Sequence, residues 1–249
     1  MHQTRRAILA TASFLVGAIA LATSAGAAEP KRVMAFGDSI TWGWRPVVEG
    51  VPSDRFDSAM RWPGAMLAAL GQGYEVVEEG LNARTTDVAD PTLPLITGAG
   101  LDGSAYLPAA LASHEPLDVV VIMLGTNDLK AQFNRTPERI AEGADKLVQI
   151  VKNIHGGVGT TYQSPKVLLV APAPLGDSMV FFKEPFAGGL TKSQQLGRTY
   201  AAVAEKAGVS FLDAGSVINT DGVDGLHLSG DAEQALGKAI AAKVREMTK

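Results

Sequence analysis

The chain has no cysteine among its 249 residues. That excludes disulfides and thiolate metal sites, so stability must come from the core. No segment repeats at a period of 20 to 50 residues, and no Ser/Pro or Gln/Asn tract interrupts the chain, which excludes solenoids and tethered modules. No Gly-x-Gly-x-x-Gly follows the first predicted strand and there is no Gly-Lys-Ser/Thr phosphate loop, which argues against a nucleotide-binding sandwich. Basic residues are outnumbered 22 to 26, a formal charge of −4, and this disfavours nucleic acid as a partner. What is present is a 46% hydrophobic composition, enough for a sizeable core in a single domain.

The N-terminus carries Arg5 and Arg6, then an uncharged, mostly apolar stretch from Ala7 that ends in Ala25-Gly26-Ala27-Ala28. This pattern reads as a cleavable signal peptide over residues 1–27, with a single domain over 28–249 and export to the periplasm or medium. Thr4-Arg5-Arg6-Ala7-Ile8-Leu9 fits a twin-arginine signal as well as an ordinary secretory one. A retained anchor is the competing reading, weakened by Gly17 and several Ser and Thr residues in the apolar run. Removal of the segment takes the formal charge to −6, a mildly acidic surface.

Short apolar runs alternate with segments of helical period, the pattern of a parallel sheet covered on both faces. Strands are predicted at Arg32–Phe36, Tyr74–Glu79, Asp118–Leu124, Lys166–Ala171 and Val209–Asp213. Helices are predicted at Trp62–Leu70, Ala105–Ser113, Pro137–Ile154, Thr191–Ala207 and Ser229–Met247, with Thr136, Thr191 and Ser229 as N-caps and Gly208 as a C-terminal stop. The result is a doubly wound α/β/α sandwich, flavodoxin-like in architecture, around a five-stranded parallel sheet. Ligands bind beyond the carboxyl ends of such strands, and there the polar clusters fall: Gly37-Asp38-Ser39, Asn82-Ala83-Arg84 and Gly125-Thr126-Asn127-Asp128.

Ser39 follows a buried strand in a glycine-flanked turn that exposes a hydroxyl and its backbone N–H to one point, as a nucleophile requires. Asp224 lies three residues before His227 in a glycine-rich loop and can reach its Nδ1, fixing the tautomer and leaving Nε2 free to take the Ser39 proton. The side-chain amide of Asn127 can address the same carbonyl oxygen as the Ser39 N–H. Asp38 is read as organising the turn. Taken singly each signal has a bland counterpart: a helix cap, a solvated histidine, a turn-forming Asn-Asp pair.

In combination these residues resemble the SGNH (GDSL-type) hydrolases, whose serine, glycine, asparagine and histidine occur in four ordered blocks across essentially the whole mature chain. Ser39 matches the first block, Asn127 the third, and Asp224 with His227 the fourth. The second departs from the pattern: in Glu78-Glu79-Gly80-Leu81-Asn82-Ala83-Arg84-Thr85-Thr86 an alanine stands where the oxyanion glycine is usual, so Ala83 is assigned the second backbone donor with Gly80 as the alternative. The strings Gly-Asp-Ser-Ile-Thr-Trp-Gly-Trp and Met-Leu-Gly-Thr-Asn-Asp are most similar to bacterial arylesterases with acyltransferase and perhydrolase ability. That resemblance implies a serine esterase acting on small aryl or alkyl esters through an acyl-serine, with transfer to alcohols or hydrogen peroxide and no metal or organic cofactor. It also implies multimers.

Trp42, Trp44 and Asn82 are candidates for shaping the substrate pocket, and the loop Met179-Val180-Phe181-Phe182 with Phe186 for its rim. Core packing or an oligomer interface suits these apolar residues equally. Polysaccharide deacetylation, a lysophospholipase-like activity and non-catalytic ligand binding are the rival functional readings.

Overall fold

The computed structural model describes residues 29–93 and 98–249; the leader expected over residues 1–27 lies outside them. In chain order the elements are β1 (Lys31–Gly37), the single-turn α1 (Ser39–Trp42), α2 (Trp62–Leu70), β2 (Tyr74–Gly80), α3 (Gly98–Leu101), α4 (Gly103–His114), β3 (Val119–Met123), α5 (Pro137–Asn153), β4 (Lys166–Ala171), α6 (Gly189–Ser193), α7 (Leu196–Ala207), β5 (Ser210–Asp213) and α8 (Gly230–Met247). The strands form one sheet in the order β2-β1-β3-β4-β5, every pair parallel.

Strand geometry sends successive side chains to opposite faces, so the unbroken apolar run of β3 feeds two cores at once. Val120 and Ile122 join Met34, Phe36 and Leu169 against α4, α5 and α7. Val119, Val121 and Met123 join Val33, Ala35 and Leu168 against α2 and α8. This is the α/β/α sandwich expected from the sequence. The caps at Thr136 and Ser229 are in place, their hydroxyls accepting the N–H of Arg139 and of Ala232, and Gly208 ends α7 at φ +65°.

The predicted helix Thr191–Ala207 is two helices. Ser193 is buried, and its Oγ accepts the N–H of Leu175 at 3.0 Å while donating to the Leu190 carbonyl at 2.6 Å. That anchor ties α6 to the loop after β4 and separates it from α7. Thr191 therefore lies inside α6, and Gly188 occupies the N-cap position in its place. Helix α4 begins two residues earlier than expected because Asp102 caps it, accepting the N–H groups of Ser104 and Ala105.

The layer beneath β1 contains a buried acid. Glu233 in the first turn of α8 is fully buried and accepts the N–H of Trp62, at the start of α2, at 2.7 Å. Burial raises its carboxyl to about 8 despite this donor. An acid with a raised folded-state pKa binds its proton more tightly when folded, so stability declines as pH rises from the ordinary glutamate range to about 8 and levels off above it. Glu233→Gln keeps an acceptor for Trp62 and removes the proton. Thermal melts from pH 5 to 9 should show a shallower alkaline decline for this variant, a gain of ~1–3 kcal/mol at pH 9. Parallel curves for the two proteins would mean that Glu233 does not carry the linkage.

Candidate active site

The strand order reverses direction between β1 and β3, the place where crossovers diverge and leave a crevice beyond the strand ends. Three loops enter it: one after β1 with Ser39, one after β2 with Ala83, and one after β3 with Asn127. The loop between β5 and α8 brings His227.

The β1 loop turns sharply because Gly37 has no side chain. A Cβ there would lie 2.0 Å from Thr41 Oγ1 and 2.8 Å from the Met123 carbonyl. Asp38 caps the single turn of α1 by accepting the N–H of Ile40 at 3.0 Å, the organising role read from the sequence. Burial pushes the Asp38 carboxyl up to about 7 against that donor. Ser39 then opens α1, with its N–H among the first-turn donors that have no partner within a helix.

In the loop before α8, Gly225 at φ +69° lets the chain fold back. Asp224 Oδ1 accepts the N–H groups of Leu226 and His227, both at 2.9 Å, and its Oδ2 lies 2.8 Å from His227 Nδ1. His227 Nε2 lies 2.9 Å from Ser39 Oγ. All three residues are buried. Burial alone would raise the Asp224 carboxyl; the hydrogen bond and charge of His227, with the two backbone donors, outweigh it and hold the group below the usual carboxylate range. The arrangement can carry a proton from a serine hydroxyl to an imidazole whose far nitrogen is held by a carboxylate.

Ser39, His227, Ala83 and Asn127 all line one cavity of about 650 Å³. Ala83 sits there at φ +66°, in the left-handed region that costs an L-residue about 1–2 kcal/mol. The alternative donor, Gly80, does not reach the cavity lining: it packs beneath α1, where a Cβ would lie 2.3 Å from the Trp42 nitrogen. Asn127 directs one amide hydrogen to the Arg84 carbonyl at 3.2 Å, which leaves its second free for a ligand oxygen.

Of the pocket and rim candidates, Trp44, Asn82, Phe181, Phe182 and Phe186 line the cavity, and Trp42, Met179 and Val180 do not. The Trp42 ring is taken up by Arg55, whose guanidinium lies 5.1 Å over it and also donates to the Trp42 carbonyl. Trp44 instead stacks on the His227 ring, with centroids 5.0 Å apart. Phe182, read only as part of the rim loop, meets the same imidazole edge-on at 5.8 Å.

One wall escaped the sequence reading. Thr92, Lys130 and Gln132 line the cavity and converge on Asp90, which is fully buried behind them. Lys130 Nζ, Gln132 Nε2 and Thr92 Oγ1 lie 2.8, 2.9 and 2.6 Å from its carboxylate. Lys130 is three residues from Asn127, a spacing that could have flagged it; Asp90 carries no local signal.

The model of the GDSL-like lipase/acylhydrolase family matches residues 35–235. Among solved structures, an aryl esterase of M. smegmatis is 51% identical with a TM-score of 0.83, covering 87% of this chain and 99% of that one. A carbohydrate acetylesterase from Sinorhizobium meliloti is 52% identical with a TM-score of 0.82 and the same coverage. A carbohydrate acetylesterase family member from the same organism is 36% identical with a TM-score of 0.79, covering 87% of this chain and 98% of that one. No curated protein matches the sequence.

Proposed function

The chain belongs to the GDSL-like lipase/acylhydrolase family and is a carboxylic ester hydrolase, and on that premise we propose that it cleaves short-chain esters through an acyl-Ser39 intermediate and passes the acyl group to water or to a small alcohol. The observation that carries the reading is the hydrogen-bonded series Asp224–His227–Ser39 opening into a cavity walled largely by apolar side chains.

The chemistry follows from the geometry. Ser39 Oγ attacks the carbonyl carbon as its proton passes to His227 Nε2, and Asp224 stabilises the resulting imidazolium. The oxyanion is received by the N–H groups of Ser39 and Ala83 and the free Asn127 amide hydrogen. Collapse breaks the ester C–O bond, and the leaving alcohol takes the proton back from His227. A second nucleophile then repeats the sequence on the acyl-serine. Trp44 and Phe182 shield the imidazole from bulk water, so a bound alcohol competes with water for the acyl group better than its concentration would dictate. The leader read from the sequence of residues 1–27 supports the proposal that this chemistry takes place outside the cytoplasm.

Similarity to an aryl esterase and to a carbohydrate acetylesterase supports small acyl groups, and the Asp90-backed wall favours a second reading of the alcohol side. Because Asp90 neutralises Lys130, the wall offers donors from Lys130 and an acceptor from Gln132 without net charge, which suits the hydroxyls of an acetylated sugar.

Turnover of p-nitrophenyl acetate, butyrate and octanoate, repeated with added alcohol and alongside an acetylated xylo-oligosaccharide, tests both readings. Highest kcat/KM for acetate, with ester product formed in water, is the expected result. Preference for octanoate would overturn the short-chain proposal. Acetyl release from the sugar at a rate matching the aryl ester would make the second reading the better one.

A further inference from the structure

Ala83 is held in a conformation that alanine disfavours, and the structure shows what holds it. The adjoining Arg84 is almost completely buried, an unusual place for a guanidinium. Its Nη1 donates to the Gly37 carbonyl at 3.0 Å, two residues before the nucleophile, and to the Glu79 carbonyl at the end of β2. The guanidinium lies against two rings that stack on each other, 4.4 Å from the centroid of Phe36 and 5.0 Å from that of Tyr106. Its own carbonyl accepts from Asn127, and its N–H closes a turn on Leu81 at 3.1 Å. One residue therefore touches all three loops that supply oxyanion donors. Arg84 itself does not line the cavity.

We propose that Arg84 is the positioning residue of the oxyanion hole: it holds the Ala83 peptide in the left-handed region and sets the Asn127 amide against it. The proposal rests on the reading of Ala83 and Asn127 as oxyanion donors. A glycine would adopt such a backbone conformation without strain; here an alanine does so under a clamp. Burial lowers the Arg84 pKa to about 10, so the side chain stays cationic through the assay range. Downstream, Thr86 continues the anchoring, its N–H and Oγ1 lying 2.9 and 2.6 Å from the buried Asp128, which in turn pairs with Arg135. A clamp that acts through donors aimed at the transition state should affect kcat and leave KM nearly unchanged.

The test is a double-mutant cycle. Arg84→Met should lower kcat for p-nitrophenyl acetate by roughly 10–100-fold with KM within about threefold, and should weaken inhibition by phenylboronic acid, whose adduct with a serine is tetrahedral, by a similar factor. Adding Ala83→Gly should restore at least about tenfold of the lost kcat, because glycine needs no clamp to reach the same conformation. A purely structural role would be read as a lower melting temperature with unchanged kcat per folded molecule, and Ala83→Gly would not rescue it.

Arg84→Lys, which keeps a buried cation but not the planar fork, takes the place of Arg84→Met in the same cycle if the latter fails to fold. Wild-type kcat and boronate affinity in a folded Arg84 variant, or failure of Ala83→Gly to restore either, overturns the proposal. Asn127→Ala separates the two levels. Weakened boronate binding there, with none in the Arg84 variant, removes only the clamp, whereas unchanged binding in both removes the oxyanion reading and the clamp together.

Discussion

Ser39→Ala is expected to lower kcat for every ester the enzyme accepts by a factor on the order of 10⁶, while the protein folds and binds substrate as before. The hydroxyl makes one hydrogen bond, to His227 Nε2 at 2.9 Å, and the serine backbone that shapes the turn is retained by alanine. What disappears is the covalent route. Residual turnover from donors and proximity alone is expected to sit roughly 10³–10⁴-fold above the reaction in water. The check is a pre-steady-state burst of nitrophenol, present in the parent and absent in the variant. A burst that survives in Ser39→Ala would assign the nucleophile to another residue.

Asp224→Asn should reduce kcat by ~10⁴ with little change in fold. The loss follows from the number of donors that the side chain must satisfy. The carboxylate receives three N–H groups: two from the backbone on Oδ1 and the imidazole Nδ1 on Oδ2. An asparagine has one oxygen. If that oxygen keeps the two backbone donors, its NH₂ faces Nδ1, the imidazole must carry its proton on Nε2, and the nitrogen facing Ser39 can no longer accept. If the amide flips to keep the Nδ1 bond, its NH₂ is set against two backbone N–H groups. Because Asp224 is held below the ordinary carboxylate range, the parent's dependence on it should persist to acid pH. The stability contributed by this depressed group is present above the ordinary aspartate pKa and is lost only as pH falls through its lower folded value. NMR of the ring protons reports the tautomer directly, and Asp224→Asn with parental kcat would remove the carboxylate from the mechanism.

Much of this was legible in the sequence because it is local. Asp224 and His227 are three residues apart, Ser39 follows directly on its strand, and β3 declares itself by five consecutive apolar residues. The departure at Ala83 was legible too, although only coordinates could show that the alanine takes the left-handed conformation rather than avoiding it. Long-range pairing was illegible. Asp90 and Lys130 are 40 positions apart, and only the fold sets them 2.8 Å apart beside the cavity. Nothing within ten residues of Arg84 announces Phe36 and Tyr106, whose stacked rings its guanidinium meets. Trp42 misled for a related reason: an aromatic next to a nucleophile suggests a pocket wall, but Arg55, thirteen residues on, claims its ring. The break between α6 and α7 depends on Ser193 reaching Leu175, eighteen positions back.

Under the proposed mechanism, the separation of Ser39 from His227 by 188 positions makes catalysis an assembly property. Nothing short of the whole central sheet puts the two side chains together: β1 must be flanked by β2 and β3 for the donors to converge, and α8 must dock on α2 for the loop before it to be held in place. A molecule with any one of these steps incomplete has no weaker version of the active centre; it has none. Ester turnover therefore counts finished molecules, and a partly folded population registers as fewer enzymes of full activity.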